Sequence, residues 1–97
     1  MKLNGIETQV INEIIDLAKS NGIEKVILFG SRARGDYHRA SDIDLAVSGG
    51  DVTGFALDVE EKTSTLLMYD VIDMSRNLQK DFRESIEKEG KIIYEKI

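Results

Sequence analysis

The chain contains no cysteine, no proline and no tryptophan, and it has a single histidine. Without cysteine there can be neither a disulfide framework nor a thiolate metal site, and one histidine alone cannot form a zinc centre. No apolar run approaches the length of a membrane span, and the amino terminus lacks the apolar core of a signal peptide. We therefore expect a cytoplasmic protein that does not associate with a membrane.

Positive charge is also scarce, because the chain has 13 Lys and Arg residues and 18 Asp and Glu residues, which gives a net charge of −5. Broad, sequence-independent binding of nucleic acid needs a basic surface and is not expected. An acidic balance is instead compatible with a basic protein partner. The 97 residues show no linker, repeat or low-complexity tract, so they predict a single domain over residues 1–97.

Hydrophobic periodicity predicts alternating helices and strands. Segments with apolar residues at helical spacing predict helices at residues 6–21, at residues 52–65 with Phe55, Val59 and Leu66 on the apolar side, and from Ser75 or Asn77 to Gly90. Short β-rich runs predict strands at residues 25–29, 41–47, 67–74 and, at a sheet edge, 91–97. This order indicates an α/β (α+β) fold, a small mixed β-sheet with helices packed on one face.

The most specific pattern is Gly30-Ser31, followed after ten residues by Asp42-Ile43-Asp44. Residues two apart on a strand point to the same face of the sheet, so the Asp42 and Asp44 carboxylates are predicted to stand side by side. Two neighbouring carboxylates repel unless a cation lies between them, and a pair with oxygen ligands alone suits Mg²⁺. The spacing therefore predicts a metal site at the start of the second long strand.

The Gly30-Ser31 dipeptide follows an apolar strand and opens a short helical turn in which Arg32 and Arg34 add positive charge. Glycine permits close approach of the backbone, and both the N–H groups and the serine hydroxyl can bind phosphate oxygens. The segment is neither a P-loop, since Asp36-Tyr37 stands where Lys and Ser or Thr are needed, nor a Rossmann glycine pattern. We interpret it as a nucleotide-phosphate site.

A third carboxylate is expected from the next strand, and Asp70 and Asp73 are both candidates. Placing Asp73 in the cleft would drive Asp70 into the core between Met68 and Ile72, and an unpaired buried aspartate is the more costly arrangement. Asp70 is therefore preferred.

Taken together, Gly30-Ser31, Asp42-Ile43-Asp44 and the downstream Tyr69-Asp70-Val71-Ile72 closely resemble the minimal nucleotidyltransferases of the DNA-polymerase-beta-like superfamily. The sequences G-S-R-A-R-G and S-D-I-D-L are typical of that group, and the resemblance spans essentially the whole chain. It implies a nucleotidyltransferase fold that binds ATP and Mg²⁺ and transfers a nucleoside monophosphate to a hydroxyl group. It further implies an antitoxin that pairs with a HEPN-domain ribonuclease toxin and silences it by adding AMP to a toxin tyrosine.

The resemblance assigns roles residue by residue. Asp42, Asp44 and Asp70 correspond to catalytic metal ligands that would serve one or two Mg²⁺ ions, and Gly30 and Ser31 correspond to the phosphate-binding element. The arginines are a looser match, with Arg32 and Arg34 favoured over Arg39 as nucleotide contacts. Two other hypotheses stay open: a non-catalytic module that inhibits a partner by binding it, and transfer to a small molecule or an RNA end.

Overall fold

The computed structural model describes residues 2–97 and contains, within that range, a two-stranded hairpin, a four-stranded sheet and four helices. In chain order the elements are β1 (Lys2–Leu3), β2 (Ile6–Glu7), α1 (Thr8–Ser20), β3 (Lys25–Phe29), α2 (Gly30–Arg34), β4 (Ile43–Ser48), α3 (Val52–Lys62), β5 (Tyr69–Asp73), α4 (Lys80–Glu89) and β6 (Lys91–Glu95). The sheet order is β5-β4-β3-β6, in which β3 runs antiparallel to β4 and β6, and β4 runs parallel to β5. The predicted small mixed sheet is confirmed.

The first helix begins at Thr8 rather than at residue 6, because Ile6 belongs to a hairpin that the helical spacing concealed. In this hairpin Ile6 pairs with Leu3, and the two turn residues, Asn4 and Gly5, have φ angles of 51° and 76°. Two positive φ angles in succession are the signature of a tight type I′ turn. The hairpin therefore closes over the start of α1 as a separate small sheet.

One face of the large sheet is covered by α1 and α3, as predicted. The buried residues of this face come from β3, β4 and both helices, and include Val26, Leu28, Ile43, Leu45, Val47, Ile14, Phe55 and Val59. Along β4, Ile43, Leu45 and Val47 face this core, which leaves the side chains of the intervening residues on the opposite face.

The last helix differs from the prediction, because α4 packs on the other face of the sheet. It buries Ile86 against Ile27 and Phe29 of β3 and Ala46 of β4, and the Phe82 ring meets the Phe29 ring edge-on at 5.9 Å. All residues from Val26 to Phe29 are buried, so β3 presents apolar side chains on both faces and both faces must be covered.

Several boundaries also differ from the predicted ones. Strand β4 begins at Ile43, so Asp42 precedes it, and α3 ends at Lys62, which leaves Leu66 fully exposed instead of on an apolar helix face. Helix α4 is capped by neither Ser75 nor Asn77, since its N-cap residue is Gln79. Between residues 2 and 97, no helix is long and apolar enough to cross a bilayer.

Candidate active site

Two carboxylates lie side by side on neighbouring parallel strands. Asp44 of β4 pairs directly with Asp70 of β5, which places their Cα atoms about 4.8 Å apart. Both lie on the sheet face that also carries Ala46 and Ile72. These two apolar residues belong to the cluster that packs against α4, and the two acids do not. The structure therefore places Asp70 next to Asp44, as the sequence argument preferred.

The alternative third acid, Asp73, lies at the other end of β5. It pairs in register with Val47, and its carboxylate accepts hydrogen bonds from the Ser75 hydroxyl at 2.6 Å and from the Ser75 backbone N–H at 2.9 Å. These hydrogen bonds and the nearby Arg76 guanidinium lower the pKa of Asp73. Asp73 is thus a turn-forming residue, remote from Asp44.

The electrostatics of Asp44 reflect both its burial and the charges around it. Burial raises the pKa of Asp44 above its ordinary value, and the negative charges of Asp70 and Asp42 raise it further. The positive charges of Arg34 and Arg32 act in the opposite direction without cancelling the rise. Asp42 is exposed just before β4, and its charge acts on Asp44 from the start of that strand.

Glycine is required at position 30 by both conformation and space. Gly30 starts α2 directly after β3, and its φ of 73° lies in the left-handed region. A Cβ atom at this position would overlap the Oδ2 atom of Asp44. The backbone that opens α2 can therefore approach the carboxylates closely, and Ser31 follows at the first turn of the same helix.

The predicted arginines separate into two environments. The Arg34 side chain is 44% exposed, and its guanidinium forms an ion pair with Asp36 at 3.4 Å. In contrast, Arg32 is 1% exposed, and its guanidinium donates hydrogen bonds to backbone carbonyl groups inside the protein. Contrary to the prediction that Arg32 contacts the nucleotide, Arg34 is the arginine whose guanidinium is accessible beside the acids.

The donor set fits a magnesium ion that arrives with a nucleotide. Within residues 2–97, no three His, Cys, Asp or Glu side chains are arranged to hold a metal ion by themselves. Mg²⁺ is usually bound by one or two carboxylates together with substrate phosphates and water, rather than by a cage made only of protein. Asp42 and Asp44 provide such a pair. A cation beside them would stabilise the ionised form of Asp44, whose pKa is raised by burial and by the charges of Asp70 and Asp42.

Sequence reasoning missed the residues that support this site from the amino-terminal hairpin. Asn4 exchanges hydrogen bonds with Arg32, and the Tyr37 ring lies 5.0 Å from the Arg32 Cζ atom. The dipeptide Asn4-Gly5 is a strong turn signal that could have revealed the hairpin. No local signal indicates that the turn would contact a residue 28 positions further along the chain.

Comparisons with known proteins identify the family and the fold of this chain. Residues 12–97 match the family described as polymerase beta, nucleotidyltransferase. A candidate protein adenylyltransferase of Methanocaldococcus jannaschii is 32% identical over an alignment of 100 positions, which covers 91% of this chain and 98% of that protein. A chain in a crystal structure of a toxin-antitoxin with AMP-PNP has 26% sequence identity to this chain and a TM-score of 0.65. The match covers 89% of this chain and 73% of that one. A MntA-HpeT toxin-antitoxin variant has the same fold, with a TM-score of 0.70 at 23% identity over 89% of this chain and 73% of that one.

Proposed function

The chain belongs to the polymerase beta nucleotidyltransferase family, and we propose that it transfers AMP from ATP, with Mg²⁺, to a tyrosine hydroxyl of a HEPN-domain toxin. It would silence that toxin as its antitoxin, in a complex of the two proteins. The observation that supports this proposal most directly is the in-register pairing of Asp44 with Asp70, next to the backbone of Gly30 and two residues after Asp42.

The residue types suggest a division of labour. Asp42 and Asp44 would hold Mg²⁺, which when bound neutralises charge on the triphosphate and its leaving group. Asp70 would take the proton of the acceptor hydroxyl while the hydroxyl oxygen bonds to the α-phosphorus of ATP. At the same time the bond between the α-phosphorus and the oxygen that bridges it to the β-phosphorus would break. The departing pyrophosphate would be stabilised by the Ser31 hydroxyl and the Arg34 guanidinium.

A protein acceptor is favoured over a small molecule by the surface next to the acids. Leu66 and Met68 are 102% and 66% exposed, and they lie three residues and one residue before the strand that bears Asp70. Apolar residues exposed beside a reactive group are suited to being covered by a partner protein. The net charge of −5 suits a basic partner, and the relatives include a candidate protein adenylyltransferase and toxin-antitoxin complexes.

The proposal is tested by incubating the chain with α-³²P-labelled ATP, Mg²⁺ and the HEPN-domain protein encoded next to it. We expect label on that protein, an added AMP on one tyrosine by mass spectrometry, and loss of its ribonuclease activity. The Asp44→Asn variant serves as the control for transfer. A tight complex that silences the toxin without modification would support the non-catalytic binding module instead, and label on RNA alone would refute a protein acceptor.

A further inference from the structure

Arg32 is the one charged residue that is buried among residues 2–97. A buried charge is costly unless its hydrogen-bonding groups are satisfied. The Nε and Nη2 atoms of Arg32 both donate to the Ser41 carbonyl, at 3.1 and 2.8 Å, and Nη2 also donates to the Arg39 carbonyl at 3.2 Å. The guanidinium fork therefore holds the segment that leads directly into Asp42.

The segment held by Arg32 is itself a closed turn. The His38 backbone N–H donates to the Ser41 hydroxyl at 2.7 Å, and the Ser41 N–H donates to the His38 carbonyl at 3.1 Å. Asp42 follows this turn and lies outside the regular hydrogen-bonding of β4, which begins at Ile43. The position of Asp42 is thus set by the turn before it as well as by the sheet side, where the Ile43 N–H donates to the Met68 carbonyl at 2.9 Å.

The other side of the guanidinium is held by the amino-terminal hairpin. Arg32 Nη1 donates to the Asn4 carbonyl at 3.1 Å, while the Asn4 side-chain amide donates back to the Arg32 carbonyl at 2.6 Å. A Cβ atom on Gly5 would lie 2.5 Å from the Tyr37 ring and 2.7 Å from Arg32 Nη1. The hairpin can pack this closely only because a glycine occupies its turn.

We propose that Arg32 is a positioning residue for Asp42, and that the amino-terminal hairpin belongs to the same support through Asn4 and Gly5. Arg32 acts through the Ser41 carbonyl and does not touch the nucleotide. The inference rests on the proposed function, because it assigns Asp42 to the Mg²⁺ and nucleotide site. Groups that orient a metal ligand typically change metal affinity by 10–100-fold when they are altered.

Two glycines make a matched test of the hairpin contact. Gly5 and Gly22 have φ angles of 76° and 68°, so alanine is strained at both, but a Cβ on Gly22 has no atom within 4 Å. The variants Gly5→Ala, Gly22→Ala and Arg32→Lys of the full chain are compared, the last keeping the charge but losing the fork. The measurements are hydrogen exchange of the amides in residues 35–42 without metal, and the Mg²⁺ concentration at half-saturation of AMP-PNP binding.

We expect Gly5→Ala and Arg32→Lys each to speed exchange of the His38 and Ser41 amides about tenfold and to raise the required Mg²⁺ concentration about tenfold. Gly22→Ala should leave both quantities within about twofold of the parent, because its strain is remote from the site. A merely structural role of Arg32 would lower the fraction of active protein without changing the required Mg²⁺ concentration, and this result would overturn the proposal.

Failure of the inference can be told apart from failure of the proposed function. If the parent chain binds Mg²⁺ and AMP-PNP but neither variant alters loop exchange, Arg32 does not order the loop and the inference is wrong. If the parent chain fails to bind Mg²⁺ and AMP-PNP, the proposed function is wrong and the link from Arg32 to nucleotide binding falls with it.

Discussion

Neutralising Asp44 should stabilise the protein when metal is absent. Asp44 stands directly opposite Asp70 and near Asp42, and burial together with these two charges raises its pKa. Two unit charges about 5 Å apart repel by about 1 kcal/mol in a water-like dielectric and by about 3 kcal/mol at an effective dielectric constant of 20. Because Asp44 is half-buried and Asp70 is exposed, we expect the Asp44→Asn change to stabilise the metal-free protein by about 1 kcal/mol, near the lower figure.

For a domain of this size, a change of about 1 kcal/mol raises Tm by about 4–8 °C. Mg²⁺ and AMP-PNP should reverse the order of the two proteins. A ligand at 100 times its Kd stabilises the folded state by about 2.7 kcal/mol, and only the protein with an intact Asp44 should gain this. Thermal unfolding followed by circular dichroism at pH 7, with and without Mg²⁺ and AMP-PNP, measures both effects.

The pH dependence of the stability difference between the parent and Asp44→Asn tests the same reasoning independently. A carboxyl group whose pKa is higher in the folded state stabilises the fold below its unfolded pKa and loses that contribution as the pH rises through the folded value. The advantage of Asp44→Asn should therefore be small in acid, grow as Asp44 ionises and level off above its raised pKa.

The control is Asp73→Asn on the neighbouring strand β5, where hydrogen bonds from Ser75 lower the pKa of Asp73. Neutralising a carboxylate that is stabilised in the folded state should lower Tm at pH 7, opposite in sign to the change at Asp44. If Asp44→Asn lowers the Tm of the metal-free protein as Asp73→Asn does, the acids are not a repelling cluster and the reasoning fails.

Three further changes test the rest of the site. Asp42→Asn should change the free energy of unfolding of the metal-free protein by less than about 0.5 kcal/mol, or raise it, because Asp42 is exposed. The same change should abolish AMP transfer. A large loss of stability in urea unfolding would contradict the model in which the acids repel one another. Gly30→Ala should destabilise the fold by about 1–3 kcal/mol and remove AMP-PNP binding in calorimetry, since its Cβ would overlap Asp44, whereas Gly22→Ala should keep binding. Ser31→Ala should weaken ATP binding about tenfold, the value of one hydrogen bond to a charged group, without shifting Tm, and unchanged affinity would remove Ser31 from the phosphate site.

The parts of the fold that were predicted correctly are those decided by local pattern. Strand β3 was predicted at its observed bounds because the four consecutive apolar residues after Lys25 end at a glycine. The end of α1 was predicted to within one residue, because the helix ends at Ser20 and Gly22 follows with a φ of 68° that favours glycine. The start of α1 was missed because Ile6 satisfies the helical spacing equally well, although the hairpin takes it instead.

The side of the sheet on which α4 lies could not be read from the sequence. Strand β3 is apolar at four successive positions, Val26 to Phe29, so its pattern indicates burial on both faces but does not assign a helix to either. The choice is made by contacts that are distant in the chain, chiefly Ile86 and Phe82 against Phe29. An amphipathic helix has one apolar stripe, which can pack on either uncovered face of a sheet, so the pattern of α4 alone does not identify its face.

The different environments of Arg32 and Arg34 could not be predicted from residue type alone, because they depend on the geometry of the helix that carries both residues. Arg32 and Arg34 are equivalent as residue types, but at 3.6 residues per turn, positions two apart on a helix point about 200° from each other. Since both lie on α2, they cannot face the same ligand, and the sequence alone could have excluded a shared role. Which of them turns inward is decided by the Asn4 carbonyl and the Ser41 carbonyl, both of which Arg32 reaches. The charge that is left at the surface, on Arg34, is consequently the one available to a triphosphate.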